Sequence, residues 1–454
     1  MKVFGSSGTR GVANDELTPG FVLRVAKAAG TAWSAERVAI ARDTRATGRM
    51  LADAAAAGLA SVGVDVDRLD VVATPGAQAY AERERVPVVM ITASHNPPEY
   101  NGVKLVGADG VELAVEDLER VEDVLVGETF ADADWDDVGD ETRVADARDR
   151  YVEQLLASVD REKIAGADLT VALDPGHGAG CLTSPEFFRR LGCRVVTVNA
   201  QPDGHFPGRD PEPVPKNLAD LGRLVRSTDA DVGIAHDGDA DRAIFYDEDG
   251  EYVEGDATLA ALAAAKLEPG DTTVSAVNVS QRLVDVANDA GADLELTPIG
   301  STNIITRIEE LLADGEHVPV AGEGNGGIFF PDYRLSRDGA FIGARFLELV
   351  ADRPVSEIVA PYDDYHNVRR NLDYDTEAER TAMLDAAEAV AADADAELST
   401  IDGYRLDYGD AWVLARPSGT EPLVRVYAEA RTEGRANELA DFVVAELAAA
   451  RDAA

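Results

Sequence analysis

Three times in this sequence a short apolar run breaks into a loop of glycine, serine and acidic residues. "VPVVMITASHNP" does so near residue 94, "ADVGIAHDGDADR" near 237 and "HVPVAGEGNGG" near 323. An apolar strand with no polar alternation is buried on both faces, which demands a sheet with helices on each side. The intervening segments agree. Residues Thr18 to Ala32 read as a helix, with Thr18 as N-cap, Pro19 at the first helical position and Phe21, Val22, Val25, Ala26 and Ala29 on one face. "RVAIARD" then reads as a strand, "MLADAAAAGLASVG" as a helix and "LDVVATPG" as a strand. This alternation predicts α/β domains with mainly parallel sheets, whose ligands gather beyond the carboxyl ends of the strands.

The chain has 454 residues, too many for one core. The expected division is 1–142 with the Ser94 loop, 143–247 with the acidic loop, 248–355 with the Glu323 loop, and 356–454. The stretch "ETFADADWDDVGDE", Glu128 to Glu141, reads as a linker, and "RPVSEIVAPYDDYHN" as a proline-bearing connection into the last domain. That domain departs from the pattern. It has a helix over Thr376 to Asp393, strands around "AWVLARPSGTEPLVRVYAEA" and a closing helix over Glu433 to Ala449, so α+β is expected.

Acids outnumber bases 85 to 42, for a formal net charge of −43. Such a surface repels nucleic acid and anionic membranes. Molar salt shortens the Debye length to about 3 Å and removes most of the self-repulsion, so a halophilic, salt-rich cytoplasm is the expected setting. Two cysteines, Cys181 and Cys193, fit a reducing compartment. "MKVFGSSGTRG" holds no apolar signal region, and "TLAALAAAK" is about half a membrane span.

The loops carry the chemistry. In His236-Asp237-Gly238-Asp239-Ala240-Asp241-Arg242, carboxylates at alternate positions share a face of extended backbone and could converge on one divalent ion. The same spacing recurs at Asp132, Asp134 and Asp136 in a chain this acidic. The 237 loop differs in following a buried strand and ending in an arginine. Ser94 is either a loop-capping serine or, if phosphorylated, a source of three acceptor oxygens beside that ion. Gly322-Glu323-Gly324-Asn325-Gly326-Gly327 fits G-x-G-x-x-G as a string, but the strand-like "IFFPDYR" follows where a dinucleotide site needs a helix. Glu323 and Asn325 instead suit hydroxyl groups. Arg416-Pro417-Ser418-Gly419-Thr420, with Arg425 beyond, reads as an anion nest. Arg10, Lys104, Arg242, Arg416 and Arg425 all lie in or beside these loops, in a chain that otherwise avoids positive charge.

"FGSSGTRG", "TASHNP", "DGDADR", "GEGNGG" and "RPSGTEP", in that order, resemble the α-D-phosphohexomutases, which include phosphoglucomutases, phosphomannomutases and phosphoglucosamine mutases. The resemblance spans the whole chain. It implies four domains around a central cleft, three related α/β domains and a smaller α+β domain. It implies a mutase that interconverts hexose 6-phosphate and hexose 1-phosphate through a phosphoserine and a sugar bisphosphate, which is both intermediate and activator. By the same resemblance Ser94 carries the phosphoryl group, and Asp237, Asp239 and Asp241 hold one Mg²⁺ with phospho-Ser94 as the fourth contact. Arg10, Lys104 and Arg242 assist the transfer. Glu323 and Asn325 meet the sugar, and Arg416, Ser418, Gly419, Thr420 and Arg425 clamp the non-reacting phosphate. A small-molecule sugar phosphate is the expected partner, and the expected state is monomer or homodimer.

Many members read G-E-x-S-G-H at the sugar loop, whereas Asn325 and Gly327 stand here for the serine and histidine. With no histidine at 327, the general base is expected to be Lys104, with His95 in reserve. The "E-x-N-G-G" form resembles archaeal-type phosphoglucosamine mutases, so glucosamine phosphate is the expected substrate and glucose or mannose phosphate the alternative. A sugar-phosphate sensor without turnover, or a metal-dependent phosphatase, would share some of these residues.

Overall fold

Local signals act where expected at the start of the chain. Thr18 caps the helix Pro19–Trp33, its hydroxyl accepting from the Phe21 N–H at 3.2 Å. Helix Gly48–Ala60 packs beside it, and both bury their alanine faces on the first sheet. The computed structural model describes residues 4–5, 8–418 and 422–454. Three successive α/β units and a fourth antiparallel unit follow one another.

The first sheet has six strands. Arg37–Arg42 pairs in parallel with Asp65–Val71 and Val88–Ile91, and the latter pairs antiparallel with Tyr100–Val106. The second sheet repeats this plan. Thr170–Asp174 lies parallel to Val232–Ala235, which turns back antiparallel into Ile244–Tyr246. In the third unit Thr272–Ala276 and Asp293–Thr297 are parallel, and Ala321–Glu323 returns antiparallel as Gly327–Phe330. Of the three units, the first two therefore have mixed sheets, and the third holds a parallel pair beside a separate three-stranded antiparallel sheet. In each unit, one buried strand ends in a polar loop and folds straight back on itself. The apolar runs gave burial, whereas the direction of the return strand depends on loop length, and short loops permit only the antiparallel partner.

Two local expectations are corrected. The strand expected through "LDVVATPG" stops at Val71, and helix Thr74–Glu84 begins with a proline in its first turn. Proline's fixed φ suits a helix start and ends the ladder. The acidic stretch from Glu128 is not a free tether. Ala133 N–H donates to Ser61 O and Gly139 N–H to Ala60 O, both at 3.0 Å, and Lys27 pairs with Asp132. It ends in strand Glu141–Arg143, which joins the first sheet parallel to Asp65–Val71 and straddles the expected boundary.

The fourth unit is a five-stranded antiparallel sheet covered by helices Glu377–Asp393 and Glu433–Ala453. It docks on the third unit. Glu429 accepts from the Gln281 N–H at 2.6 Å and from Trp412 Nε1 at 3.2 Å, and Arg405 donates to Val277 O at 2.6 Å. No helix among the described residues is long and apolar enough to cross a membrane.

Candidate active site

The three return loops meet one another. Ser94 sits at the end of strand Val88–Ile91 with φ of 51°, a left-handed backbone uncommon for a non-glycine residue. Its N–H donates to Thr92 Oγ1 at 2.9 Å, and Thr92 Oγ1 donates to Asp43 Oδ2 at 2.7 Å. Arg45, 1% exposed, staples the loop by donating to the carbonyls of Ser94, Asn96, Pro97 and Tyr100 at 2.6–2.9 Å while pairing with Asp43. Strain at Ser94 is thus held by surrounding contacts, the condition under which such strain persists.

That staple aims the serine into the second loop. Ser94 Oγ donates to Asp237 Oδ2 at 2.8 Å, across 143 residues. Donor oxygens of Asp237, Asp239 and Asp241 all lie within 4.8 Å of one another, and all three residues are buried. Thr74 donates its hydroxyl to Asp239 Oδ2 at 2.6 Å. From below, Arg209 pairs with Asp174 at 3.0 Å and donates to His236 O at 2.5 Å.

Cations surround the carboxylates. Lys104 Nζ lies 3.2 Å from Asp241, 3.6 Å from Asp239 and 3.3 Å from Glu112. Arg242 Nε lies 3.8 Å from both Asp237 and Asp241, and Arg337 Nη2 donates to Asp241 Oδ2 at 2.6 Å. Arg10 donates to Asn96 Oδ1 at 2.8 Å on the serine loop. The titration behaviour follows. Burial, then the charges of Asp241 and Asp239, push Asp237 well above the usual carboxylate range. For Asp241 burial works in the same direction, but Arg337, Lys104 and Arg242 outweigh it and hold it far below. Burial alone would lower Lys104, yet Glu112, Asp241 and Asp239 keep it above the ordinary lysine range. Arg242, burial and Arg10 depress His95 to about 2, and its Nδ1 lies 3.4 Å from Ser94 Oγ. The expectation of Lys104 as general base therefore meets a lysine whose neighbours hold its proton.

The third loop closes against the second. Ala243 N–H donates to Gly326 O at 3.0 Å, and Gly326, at φ of 86°, turns the chain where an L side chain would be strained. Asn325 Oδ1 accepts from the Gly327 N–H at 3.0 Å and its Nδ2 donates to Glu323 Oε2 at 3.2 Å, so the two expected sugar residues are already bound to each other. On the fourth unit, Arg416 and Arg425 are direct cross-strand partners. Like charges placed opposite are destabilising unless an anion offsets them. Arg416 also pairs with Asp402 at 3.1 Å, and Ser418 N–H donates to Leu423 O at 2.8 Å. Gly419 and Thr420 lie outside the described residues.

Sequence reasoning missed Arg45, Thr74, Arg209 and Arg337. Arg45 carried a signal, since "RDTRATG" follows strand Arg37–Arg42 and so stands at a carboxyl end like the other loops. The others act through contacts far apart in sequence.

Comparison with known proteins follows the same four-part division. Residues 1–132, 149–250 and 254–365 match alpha/beta/alpha domains I, II and III of phosphoglucomutase/phosphomannomutase, and 371–446 match its C-terminal domain. A "Phosphoglucomutase/phosphomannomutase" of Thermococcus kodakarensis is 39% identical over 96% of each chain. A "Probable phosphoglucosamine mutase" of Methanopyrus kandleri is also 39% identical, over 98% of this chain and 97% of its own. The crystal structure of a phosphoglucomutase/phosphomannomutase family protein from Burkholderia thailandensis superposes with a TM-score of 0.86 at 28% identity, covering 99% of this chain and 98% of that one. The chain belongs to the phosphoglucomutase/phosphomannomutase family of phosphohexomutases.

Proposed function

We propose that this phosphohexomutase interconverts glucosamine 6-phosphate and glucosamine 1-phosphate, with Ser94 as its phosphoryl carrier. One observation carries the mechanism: Ser94 Oγ lies 2.8 Å from Asp237 Oδ2, within the group formed by Asp237, Asp239 and Asp241. The substrate preference rests on the Glu323-Gly-Asn325-Gly-Gly loop and on the similarity to the Methanopyrus kandleri protein.

The residues fit a divalent cation. Asp239 Oδ1 and Asp241 Oδ1 are buried without a hydrogen-bond partner, and hard carboxylate oxygens are the ligands Mg²⁺ takes. Asp237, Asp239, Asp241 and phospho-Ser94 would hold it, and when bound it supplies charge neutralisation at the transferring phosphoryl group. The chain's own residues do the rest. A hydroxyl of the sugar attacks the phosphorus of phospho-Ser94; the bond from phosphorus to Ser94 Oγ breaks as the bond to the sugar oxygen forms, and the hydroxyl proton ends on the departing Ser94 Oγ. Lys104 and Arg242 act as hydrogen-bond donors to the phosphoryl oxygens, and Arg10 fixes the serine loop through Asn96. Glu323 and Asn325 exchange their mutual hydrogen bond for sugar hydroxyls. The bisphosphate then turns over, with Arg416 and Arg425 holding whichever phosphate is not reacting, and the second phosphate returns to Ser94. Catalysis of this kind depends on position and electrostatics at a loose transition state.

The test is kcat/KM on glucosamine, glucose, mannose and pentose phosphates in molar KCl with Mg²⁺ and sugar bisphosphate, for the wild type and for Ser94→Ala. Isomerised product, fastest from glucosamine phosphate, and its loss in the variant are expected. Full activity of Ser94→Ala would reject the carrier. Equal rates on glucose phosphate would reject the preference, and release of free phosphate would indicate a phosphatase.

A further inference from the structure

The place of the absent sugar-loop histidine is not empty. A Cβ on Gly327 would lie 2.7 Å from Arg337 Cδ, 3.3 Å from Arg337 Nη1 and 3.0 Å from Asn325 Oδ1. The nearest of these is closer than a real Cβ comes to another atom, so a side chain at 327 requires the Arg337 side chain to shift. Arg337 reaches the spot from strand Arg334–Arg337, where it is the cross-strand partner of Phe329. The register of that pair shifts at Phe329/Phe330, an irregularity of the kind that re-aims side chains beside active sites.

The guanidinium joins two loops. Nη2 is committed to Asp241 of the acidic loop at 2.6 Å, while Nη1 lies at the Gly327 position beside Asn325 of the sugar loop. The side chain is only 5% exposed, so its direction is fixed by packing. A plain neutralising role for Asp241 does not account for it, because Lys104 at 3.2 Å and Arg242 at 3.8 Å already flank that carboxylate. Arg337 stands with Lys104 and Arg242 around Asp241, in the carboxylate group that Ser94 faces. Arg337 is thus part of the charge that a transferring phosphoryl group meets, and its planar fork serves two sites at once, as a lysine cannot.

We propose that Arg337 is a further catalytic residue that takes over the position left by the missing side chain at 327, donating from Nη1 to the substrate oxygen that Glu323 and Asn325 hold, while Nη2 anchors it to Asp241. It stays protonated throughout and moves no proton. This rests on the mutase reading above.

The test compares the wild type with Arg337→Ala, Arg337→Lys, Gly327→His and the double variant Gly327→His/Arg337→Ala, under mutase assay conditions with Mg²⁺ and sugar bisphosphate. Loss of one preorganised donor predicts a fall in kcat of about 100-fold for Arg337→Ala, with KM changed less than about three-fold. Arg337→Lys keeps a charge beside Asp241 and recovers less than about a tenth of the wild-type kcat. Added guanidinium ion restores Arg337→Ala at least about ten-fold, whereas urea, neutral and of the same shape, does not. Gly327→His alone is impaired, and the double variant exceeds both single ones. A wild-type kcat in Arg337→Lys, rescue by urea equal to that by guanidinium, or a double variant no better than either single one would overturn the proposal while leaving the mutase reading intact. Absence of turnover in the wild type would overturn both.

Discussion

Ser94 shows what one residue can and cannot disclose. Its place at the end of an apolar strand was legible, and so was the acidic loop it meets, because both follow from local patterning. Their contact, across 143 residues, was not in the local patterning and was expected only from the family resemblance. Arg45 is the residue on which that contact depends. It is buried with Asp43 and satisfies four carbonyls of the serine loop. Arg45→Met leaves Asp43 as an unpaired buried charge, so a loss of about 3–5 kcal/mol is expected in chemical denaturation, with turnover lost as the loop detaches. A variant as stable as the wild type would show that the staple is not needed. His236 offers a pH test. It is fully buried, its Nδ1 meets Arg242 O at 2.8 Å, and burial lowers its pKa from 6.5 to about 4. The fold therefore favours the neutral ring. The stabilisation is present above pH 6.5 and is lost as pH falls through 4, roughly 3 kcal/mol in all. A bound cation nearby would act in the same direction. Denaturation curves between about pH 8 and pH 4 should show this loss, and His236→Asn should flatten it.

At the scale of elements, the repeated unit is a strand, a polar loop and an antiparallel return. The strands were legible because continuous apolar runs have one use, and the Rossmann alternative was excluded because strand Gly327–Phe330 follows the glycines. What patterning could not give was how the loops interlock. The sugar loop is pressed from behind by helix Gly255–Ala264, and a Cβ on Gly255 would lie 2.0 Å from Gly324 O. Gly255→Ala must therefore displace the loop that carries Glu323 and Asn325. Displacement by about 1 Å predicts a fall in kcat/KM of roughly 100-fold against a stability cost of about 1–3 kcal/mol. An unchanged kcat/KM would mean that the loop position is not critical.

At the scale of the whole molecule, the residues proposed to carry the chemistry come from different units and stand where those units meet. Ser94 comes from the first unit, Asp237 from the second and Arg337 from the third, while the cross-strand pair Arg416 and Arg425 stands on the fourth, which Glu429 and Arg405 attach to the third. Four units were legible from the strand pattern and its change after "RPVSEIVAPYDDYHN". The acidic surface was legible too, and it sets a condition on stability. With a net charge of −43, self-repulsion weakens as salt screens it, so the melting temperature should rise by roughly 5 °C or more between about 0.1 M and about 2 M KCl. No rise would contradict the reading of the surface as adapted to salt. The central claim, that the Ser94 hydroxyl carries the phosphoryl group between the two ends of a sugar, has a direct test. The enzyme is incubated with labelled glucose 1,6-bisphosphate, its phosphopeptide is mapped, and the isolated phosphoenzyme is mixed with hexose monophosphate in a rapid-quench experiment. Label on Ser94 that passes to the sugar at a rate no slower than turnover is the predicted result. Label on another residue, or on Ser94 but lost only to water, would contradict the account.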